Sequence, residues 1–483
     1  MQKAILHIRD EVNVKFEGLD VTTRRKISDK LKYFVPYAYH MPAYKLGRWD
    51  GFVRFCDIGA RTYLNLIEKV LPIIEQQGYE IEIKDDRKDY KFNFEKVEQD
   101  YLSHINWPRG HTNEGQPIIL RDYQTDVINN FISNPQCLQE VATGAGKTII
   151  TACLSKLCQE YGRTIVIVPN KSLVTQTEED YRNIGLDVGV YYGERKELNH
   201  KHTICTWQSL NVLHKKTKKV ETDFPIDEFL DDVVCVMVDE VHMARADVLK
   251  QLLTGPFAGV PMRWGLTGTI PKEEYEKASL TASLGAVINK LSASELQDKG
   301  VLANCHVNVI QTQDIQSFRN YQEELTYLTT NNNRLEFISN LVEEIRSGGN
   351  TLILVDRIKS GDLLKELIPG SVFIQGKTKM EERKEEYDEV ATEQYKVLIA
   401  TYGVAAVGIN LPRIFNLVLL EPGKSFVRVI QSIGRGIRKA KDKDHVQIWD
   451  ITSSCKFSKR HLTTRKKFYK EANYPFSINK VNI

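Results

Sequence analysis

A glycine-flanked lysine and a strand that ends in two carboxylates constrain this chain more than any other feature. AlaThrGlyAlaGlyLysThr occupies 142–148 and AspGluValHis occupies 239–242. In the first run, the backbone N–H groups of Ala142, Thr143, Gly144, Ala145 and Gly146 can turn inward around a polyphosphate. Lys147 adds a point charge and Thr148 a hydroxyl for Mg²⁺. The Lys147 ammonium is expected to face solvent until phosphate arrives. The second run follows ValValCysValMetVal, which reads as a buried strand. Asp239 and Glu240 then stand at its C-terminal end, where Asp239 can hold the metal and Glu240 can activate water. The loop departs from the strict G-x-x-x-x-G-K-S/T spacing in that Val141 stands where the first glycine belongs. Both halves of one Mg²⁺–phosphate centre are present, and together they indicate an ATPase.

At 483 residues the chain is too long for a single core. Its 66 basic and 63 acidic residues nearly cancel, so partner chemistry has to be read from local patches. Eight cysteines are scattered without a Cys-x-x-Cys pair, which suggests neither a zinc site nor a disulfide framework and fits a reducing, cytoplasmic setting. No apolar run has the length of a signal peptide core or a membrane span, so no membrane partner is expected.

Three regions differ in pattern. Residues 1–105 mix alternating strand-like segments near 3–16 and 79–84 with helical ones at 22–34 and 65–77, a small α+β domain. A polar Gly/Pro stretch at 106–117 reads as a linker that few core contacts cross, leaving the first domain separable. Beyond it, apolar strand-length runs at 164–168, 233–238, 351–355, 396–400 and 416–420 alternate with helical stretches. That alternation predicts an α/β fold of parallel sheets flanked by helices, with two lobes at 118–290 and 291–455. Residues 456–483 read as a basic C-terminal tail, since Lys456 to Lys470 holds seven Lys/Arg and no acid.

ArgAspTyrGln at 121–124 precedes the phosphate loop; Gln124 can read an adenine edge through its amide, or stand on a helix surface. Further runs follow in order: ValProAsnLysSerLeuValThrGln (168–176), IleCysThrTrpGlnSer (204–209), GlyLeuThrGlyThr (265–269), AlaThrTyrGlyValAlaAlaValGlyIleAsn (400–410) and GlnSerIleGlyArgGlyIleArg (431–438). This ordered set resembles superfamily 2 helicases over roughly 118–450. The resemblance implies two RecA-like lobes in tandem, with ATP in their cleft and nucleic acid across them. It implies Arg435 and Arg438 as arginine fingers, with Gln431 beside them, and phosphate-backbone contacts at Asn170, Thr206 and Thr401. ThrGlyThr stands where Ser/Thr-Ala-Thr is usual, and Asn410 where Asp is frequent.

With GlyArgTrpAspGlyPheValArg (47–54) added, the chain resembles the UvsW-type helicases of T-even phages over nearly its full length. That resemblance implies remodelling of branched DNA (forks, Holliday junctions, R-loops with their RNA–DNA hybrid) in recombination, repair and replication. It also implies a duplex-binding N-terminal domain. Locally, Arg24, Arg25, Lys26, Lys30 and Lys32 cluster on one predicted helix. Lys45, Arg48 and Arg54 interleave with Tyr44, Trp49 and Phe52, suiting phosphates and bases or else a solvated face over core aromatics. Arg48 reads as functional and Trp49 as core. An RNA helicase and an ATP-gated clamp without processive unwinding stay open as alternatives, because such motifs do not read the 2′-OH. Asp57 with Glu82-Ile83-Lys84 loosely resembles a metal-dependent nuclease, with too few carboxylates for two metals.

Overall fold

The computed structural model describes residues 2–108, 113–243, 246–405, 411 and 413–483. They divide into two compact units, 1–141 with 146–290 and 142–145 with 291–483.

The first unit opens with a four-stranded sheet in the order Arg61–Tyr63, Asn13–Glu17, Gln2–Ile8, Tyr79–Asp85. Gln2–Ile8 pairs antiparallel with Asn13–Glu17 and parallel with Tyr79–Asp85. The period-2 pattern sends Ala4, Leu6, Ile8, Val14 and Phe16 to one face, where they meet Ile27 of the helix Val21–Lys30. Asp20 caps that helix by accepting from Thr23 N at 2.8 Å.

Eight strands follow in the order Arg195–Lys196, Val188–Tyr192, His202–Thr206, Arg163–Val168, Val233–Asp239, Met262–Thr267, Gln136–Val141, Ala286–Leu291. The five neighbouring pairs from Val188–Tyr192 to Gln136–Val141 are all parallel. Residues 233–238 are buried throughout, as a strand covered by helices on both faces requires.

The linker expectation needs correcting. The helix Glu274–Leu284 puts Tyr275, Ala278 and Ala282 into the N-terminal core and Leu280 and Leu284 into the core of the larger sheet. Glu11 N donates to Ala258 O at 3.1 Å, and Gln136 Nε2 donates to Glu11 O at 2.7 Å. The N-terminal domain is therefore packed directly on the first lobe through Glu11, Gln136 and this helix. Residues 86–105 also pack back, with Asn129 bonding both backbone groups of Val97 at 2.8 and 2.9 Å. Arg263, wholly buried, donates to the carbonyls of Leu253, Phe257 and Ser283, satisfying helix ends that would otherwise be buried without partners.

The second unit carries seven strands in the order Val372–Ile374, Val397–Thr401, Thr351–Val355, Asn416–Leu420, His445–Ser453, Asn304–Thr312, Phe476–Val481, every neighbouring pair parallel. The C-terminal residues are thus no tail. Phe476–Val481 forms an edge strand, and Lys456–Glu471 forms a helix against the same sheet. Glu324 accepts from Phe457 N at 3.0 Å and Ser458 N at 2.6 Å at the helix start. Arg465 makes a bidentate pair with Asp450 at 2.9 and 2.8 Å, and Tyr469 donates to the same carboxylate at 2.7 Å. Of the seven cations this one points inward, because every third or fourth residue of a docked helix must. The expected α/β architecture, two parallel-sheet lobes with a small N-terminal α+β domain, is the one observed.

Arg465 and Asp450 are 1% and 0% exposed at their side chains. Arg465→Ala should therefore lower the stability of the second unit by about 3–5 kcal/mol, since it strands a buried carboxylate. Lys467→Ala, on the exposed side of the same helix, should change it by less than about 0.5 kcal/mol. Denaturant unfolding of the two variants side by side checks this.

Candidate nucleotide-hydrolysis site and nucleic-acid contacts

Parallel strands of the first sheet end at one edge, and the loops leaving that edge carry the expected chemistry. Asp239 lies opposite Leu266 and Thr267 opposite Glu140 in the strand registers. The phosphate loop, the carboxylate pair and ThrGlyThr therefore leave three adjacent strands spaced by roughly 5 Å. Asn170 follows the next strand along, and Thr206 ends the one after it.

Gly146 caps the helix Lys147–Cys158 with φ 85°, in the left-handed region. A Cβ there would lie 2.6 Å from Gln124 Nε2, so glycine is required for both reasons. Thr148 occupies the first turn of the same helix. Gln124 is buried rather than on a helix surface. Its Oε1 accepts from Arg121 N at 2.9 Å, and its amide nitrogen faces Gly146.

Lys147 Nζ lies 2.7 Å from Glu240 Oε1, with the two side chains 9% and 8% exposed. The expectation of a solvent-facing ammonium is corrected: a cation this far from water needs an anion, and Glu240 supplies it. Glu240 has φ 51°, an uncommon conformation for a residue with a Cβ, and it aims the carboxylate back over the strand end. Its Oε2 accepts from Gly268 N at 3.4 Å and lies 3.6 Å from His242 Nδ1. His242 Nδ1 is in turn 2.5 Å from Thr267 Oγ1. Thr267 donates to Thr269 O at 3.0 Å, so the imidazole Nδ1–H is the donor to Thr267. One polar chain thus joins the phosphate-loop lysine to ThrGlyThr. His242 is the member that sequence reasoning missed; its place in AspGluValHis was the available signal. Asp239 Oδ1 accepts from Glu240 N at 2.9 Å, leaving the carboxylate at the strand tip.

These residues fit a nucleoside triphosphate with Mg²⁺. The loop and Lys147 would hold the phosphates, Thr148 and Asp239 the metal, and the metal would neutralise charge on the phosphoryl oxygens. The nuclease alternative finds no support: Glu82 pairs with Lys3, Asp57 accepts from Arg61 N at 2.9 Å, and among the described residues no group of three potential metal ligands gathers.

In the second unit, Gln431 lies buried on the helix Phe426–Gly436. Arg438 follows that helix and bridges Leu302 in antiparallel fashion. Arg435 belongs to the helix, its side chain outside those described, as is Asn410. Loop residues 142–145 group with this unit. Ala142 N donates to Leu291 O at 3.0 Å, and a Cβ at Gly144 would fall 2.7 Å from Leu302 Cδ2 and 3.9 Å from Arg438 Cγ. Within this unit Arg438 therefore lies beside residues 142–145. Lys443, which sequence reasoning also missed, donates to Gly436 O at 2.5 Å and Arg438 O at 2.8 Å. Burial and then nearby Arg438 lower its pKa to about 7.

The candidate backbone contacts all cap helices. Asn170 accepts from Leu173 N at 3.0 Å, Thr206 from Ser209 N at 3.3 Å, and Thr401 from Val404 N at 3.3 Å. Arg48 is exposed, while Trp49 packs on the N-terminal core and donates Nε1–H to Phe52 O at 2.9 Å.

Glu240→Gln should retain nucleotide binding and slow hydrolysis by about 10²–10⁴-fold, because an amide cannot take the proton of the attacking water. Loss of nucleotide binding would instead mean that Glu240 chiefly orders Lys147. Arg438→Ala should reduce turnover, by up to ~10³–10⁵-fold, with ATP affinity comparatively intact. Steady-state kinetics at saturating nucleic acid checks it; a rise in KM alone would make Arg438 an ordinary phosphate contact.

Residues 117–272 match the family described as Type III restriction enzyme, res subunit, and residues 333–440 match the Helicase conserved C-terminal domain. The chain is 22% identical to the ATP-dependent DNA helicase uvsW of Enterobacteria phage T4, covering 97% of this chain and 94% of that protein. It is 24% identical to the DNA 3'-5' helicase XPB of Kineococcus radiotolerans, over 74% of this chain and 64% of that protein's length. Saccharomyces cerevisiae Dbp5 bound to RNA and ADP BeF3 shares the fold, with a TM-score of 0.53 at 14% identity over 76% of this chain and 90% of that one. A phosphate loop, a carboxylate pair and two matched helicase regions on two RecA-like lobes make this chain a superfamily 2 helicase similar to UvsW, a nucleic-acid-dependent ATPase.

Proposed function

We propose that the chain is an ATP-dependent, Mg²⁺-requiring DNA helicase or translocase that remodels branched DNA such as forks, Holliday junctions and R-loops, in recombination, repair and replication. The observation that carries this reading is the extent of the likeness: it spans the N-terminal domain as well as the motor of a DNA helicase, 97% of this chain. An RNA helicase matched through its motor alone would leave residues 1–105 unaccounted for.

The Lys147–Glu240 pair supplies a gate for hydrolysis. Glu240 cannot serve as a base while its oxygen is 2.7 Å from an ammonium. When Lys147 turns to phosphate, Glu240 is released to orient and deprotonate water, and Gly268 N keeps hold of its other oxygen. The same shift moves the polar chain through His242 to Thr267 and Thr269, which offers a route from the phosphates to the loops along the sheet edge. Arg438, with Gln431 and Arg435, would stabilise charge in the transition state. Asn170, Thr206 and Thr401 cap helices at their N-termini, where free N–H groups and the helix dipole favour backbone phosphates.

ATP turnover measured with single-stranded DNA, duplex, forked DNA and RNA in parallel, alongside strand displacement, tests the proposal. Forked DNA should stimulate most and be unwound. Stimulation by RNA alone would overturn the DNA reading, and hydrolysis with no strand displacement or translocation would make the protein a clamp.

A further inference from the structure

Four exposed large apolar side chains fall within one ten-residue stretch of the N-terminal domain: Tyr37 at 45%, Tyr39 at 57%, Met41 at 37% and Leu46 at 64% exposure. Scattered exposed apolar residues are ordinary; a contiguous cluster marks a surface that meets something. The sequence left Tyr44 and Phe52 open between base stacking and core and placed Trp49 in the core; the structure turns all three inward. Tyr44 and Trp49 pack on the core, and Phe52 lies against Phe34 with ring centroids 5.4 Å apart. They form a floor for the outer residues: the Tyr39 ring lies 5.2 Å from both Phe34 and Tyr44. Gly51, at φ 81°, lets that floor close, since a Cβ there would stand 2.5 Å from the Phe34 ring. The Tyr39 ring is therefore held in place before any partner arrives.

Its rim is cationic. Lys45 and Arg48 flank Leu46 and are exposed, and among the described residues neither has an ion-pair partner, whereas nearby Lys32 pairs with Asp29 and Arg54 with Asp50. The cluster is also rooted beside the motor. Tyr275, at the start of the helix Glu274–Leu284, hydrogen-bonds Asp247 of the helix Ala246–Thr254. Burial first, then Asp247, then the nearby Tyr37 hydroxyl push its ionisation upward. Those two helices follow ThrGlyThr and AspGluValHis, the loops tied to the hydrolysis site.

We infer that residues 37–48 form a docking surface for the bases at a single-strand–duplex boundary of DNA. Tyr39, Met41 and Leu46 cover the face of the end base pair, and Lys45 and Arg48 meet the phosphates beside it. Flat rings and aliphatic tips match an exposed base face, and a cationic rim matches the backbone that surrounds it. The inference rests on the DNA reading above and names the part of a fork that the N-terminal domain holds.

A fork with 2-aminopurine at the last paired position tests it, using the full chain. Wild-type binding should change the probe's fluorescence. Tyr39→Ala and Leu46→Glu should each abolish most of that change and weaken fork binding by roughly 5- to 150-fold, the range expected for losing one stacked base. Leu46 is the safer position, since its side chain stands clear of the core, and circular dichroism reports on folding of both variants. Unaltered probe response and fork affinity in both variants would overturn the inference and leave the cluster to a protein partner. If the wild type shows no DNA-stimulated ATP turnover, the parent reading fails instead, whatever the probe reports.

Discussion

In a parallel sheet every strand ends at the same edge, and that constraint arranges the candidate hydrolysis site of the first unit. Val141, Val168, Thr206, Asp239 and Thr267 close five strands running in one direction. Five loops distant in sequence consequently emerge side by side. Three of them make the phosphate and carboxylate centre, and two present helix N-termini next to it. Because the strands are buried on both faces, a one-residue slip of register would bring no polar side to rest in the core. The positions of Asp239 and Thr267 are given by the ladder register, Asp239 opposite Leu266 and Thr267 opposite Glu140.

The interaction that the hydrolysis site is built around is the Lys147–Glu240 pair. An ammonium at this depth without an anion, or a carboxylate without a cation, would be strongly destabilising. Each group therefore neutralises the other in the buried site. The left-handed backbone at Glu240 belongs to this arrangement, since it sets the direction of the carboxylate.

The ends of the chain are integrated by burial rather than by sequence proximity. Glu274–Leu284 has no wet face beyond its first turn. Tyr275, Ala278 and Ala282 lie on one side of it and Leu280 and Leu284 on another, so it joins two cores. Lys456–Glu471 is strongly basic in sequence yet is docked through Arg465, Phe468 and Tyr469 and capped by Glu324.

The sequence by itself determined the chemistry and the fold class. Glycine, lysine and paired carboxylates at those spacings have few other uses, and strand-length runs of Val, Ile and Leu between helical stretches admit little besides parallel sheets. Strand positions such as 351–355 and 416–420 were legible because burial on both faces leaves only one composition possible. The partners of those residues were not legible. That Lys147 rests on Glu240, that His242 reaches Thr267, that Lys443 holds the carbonyls beside Arg438, and which aromatics of 34–52 face outward all depend on residues brought together from distant parts of the chain. Local patterns report a residue's own secondary structure and polarity. They do not report what a neighbouring strand or helix places against it, so only the packed structure decided which cations are paired, which helices are shared and which rings are left to meet a partner.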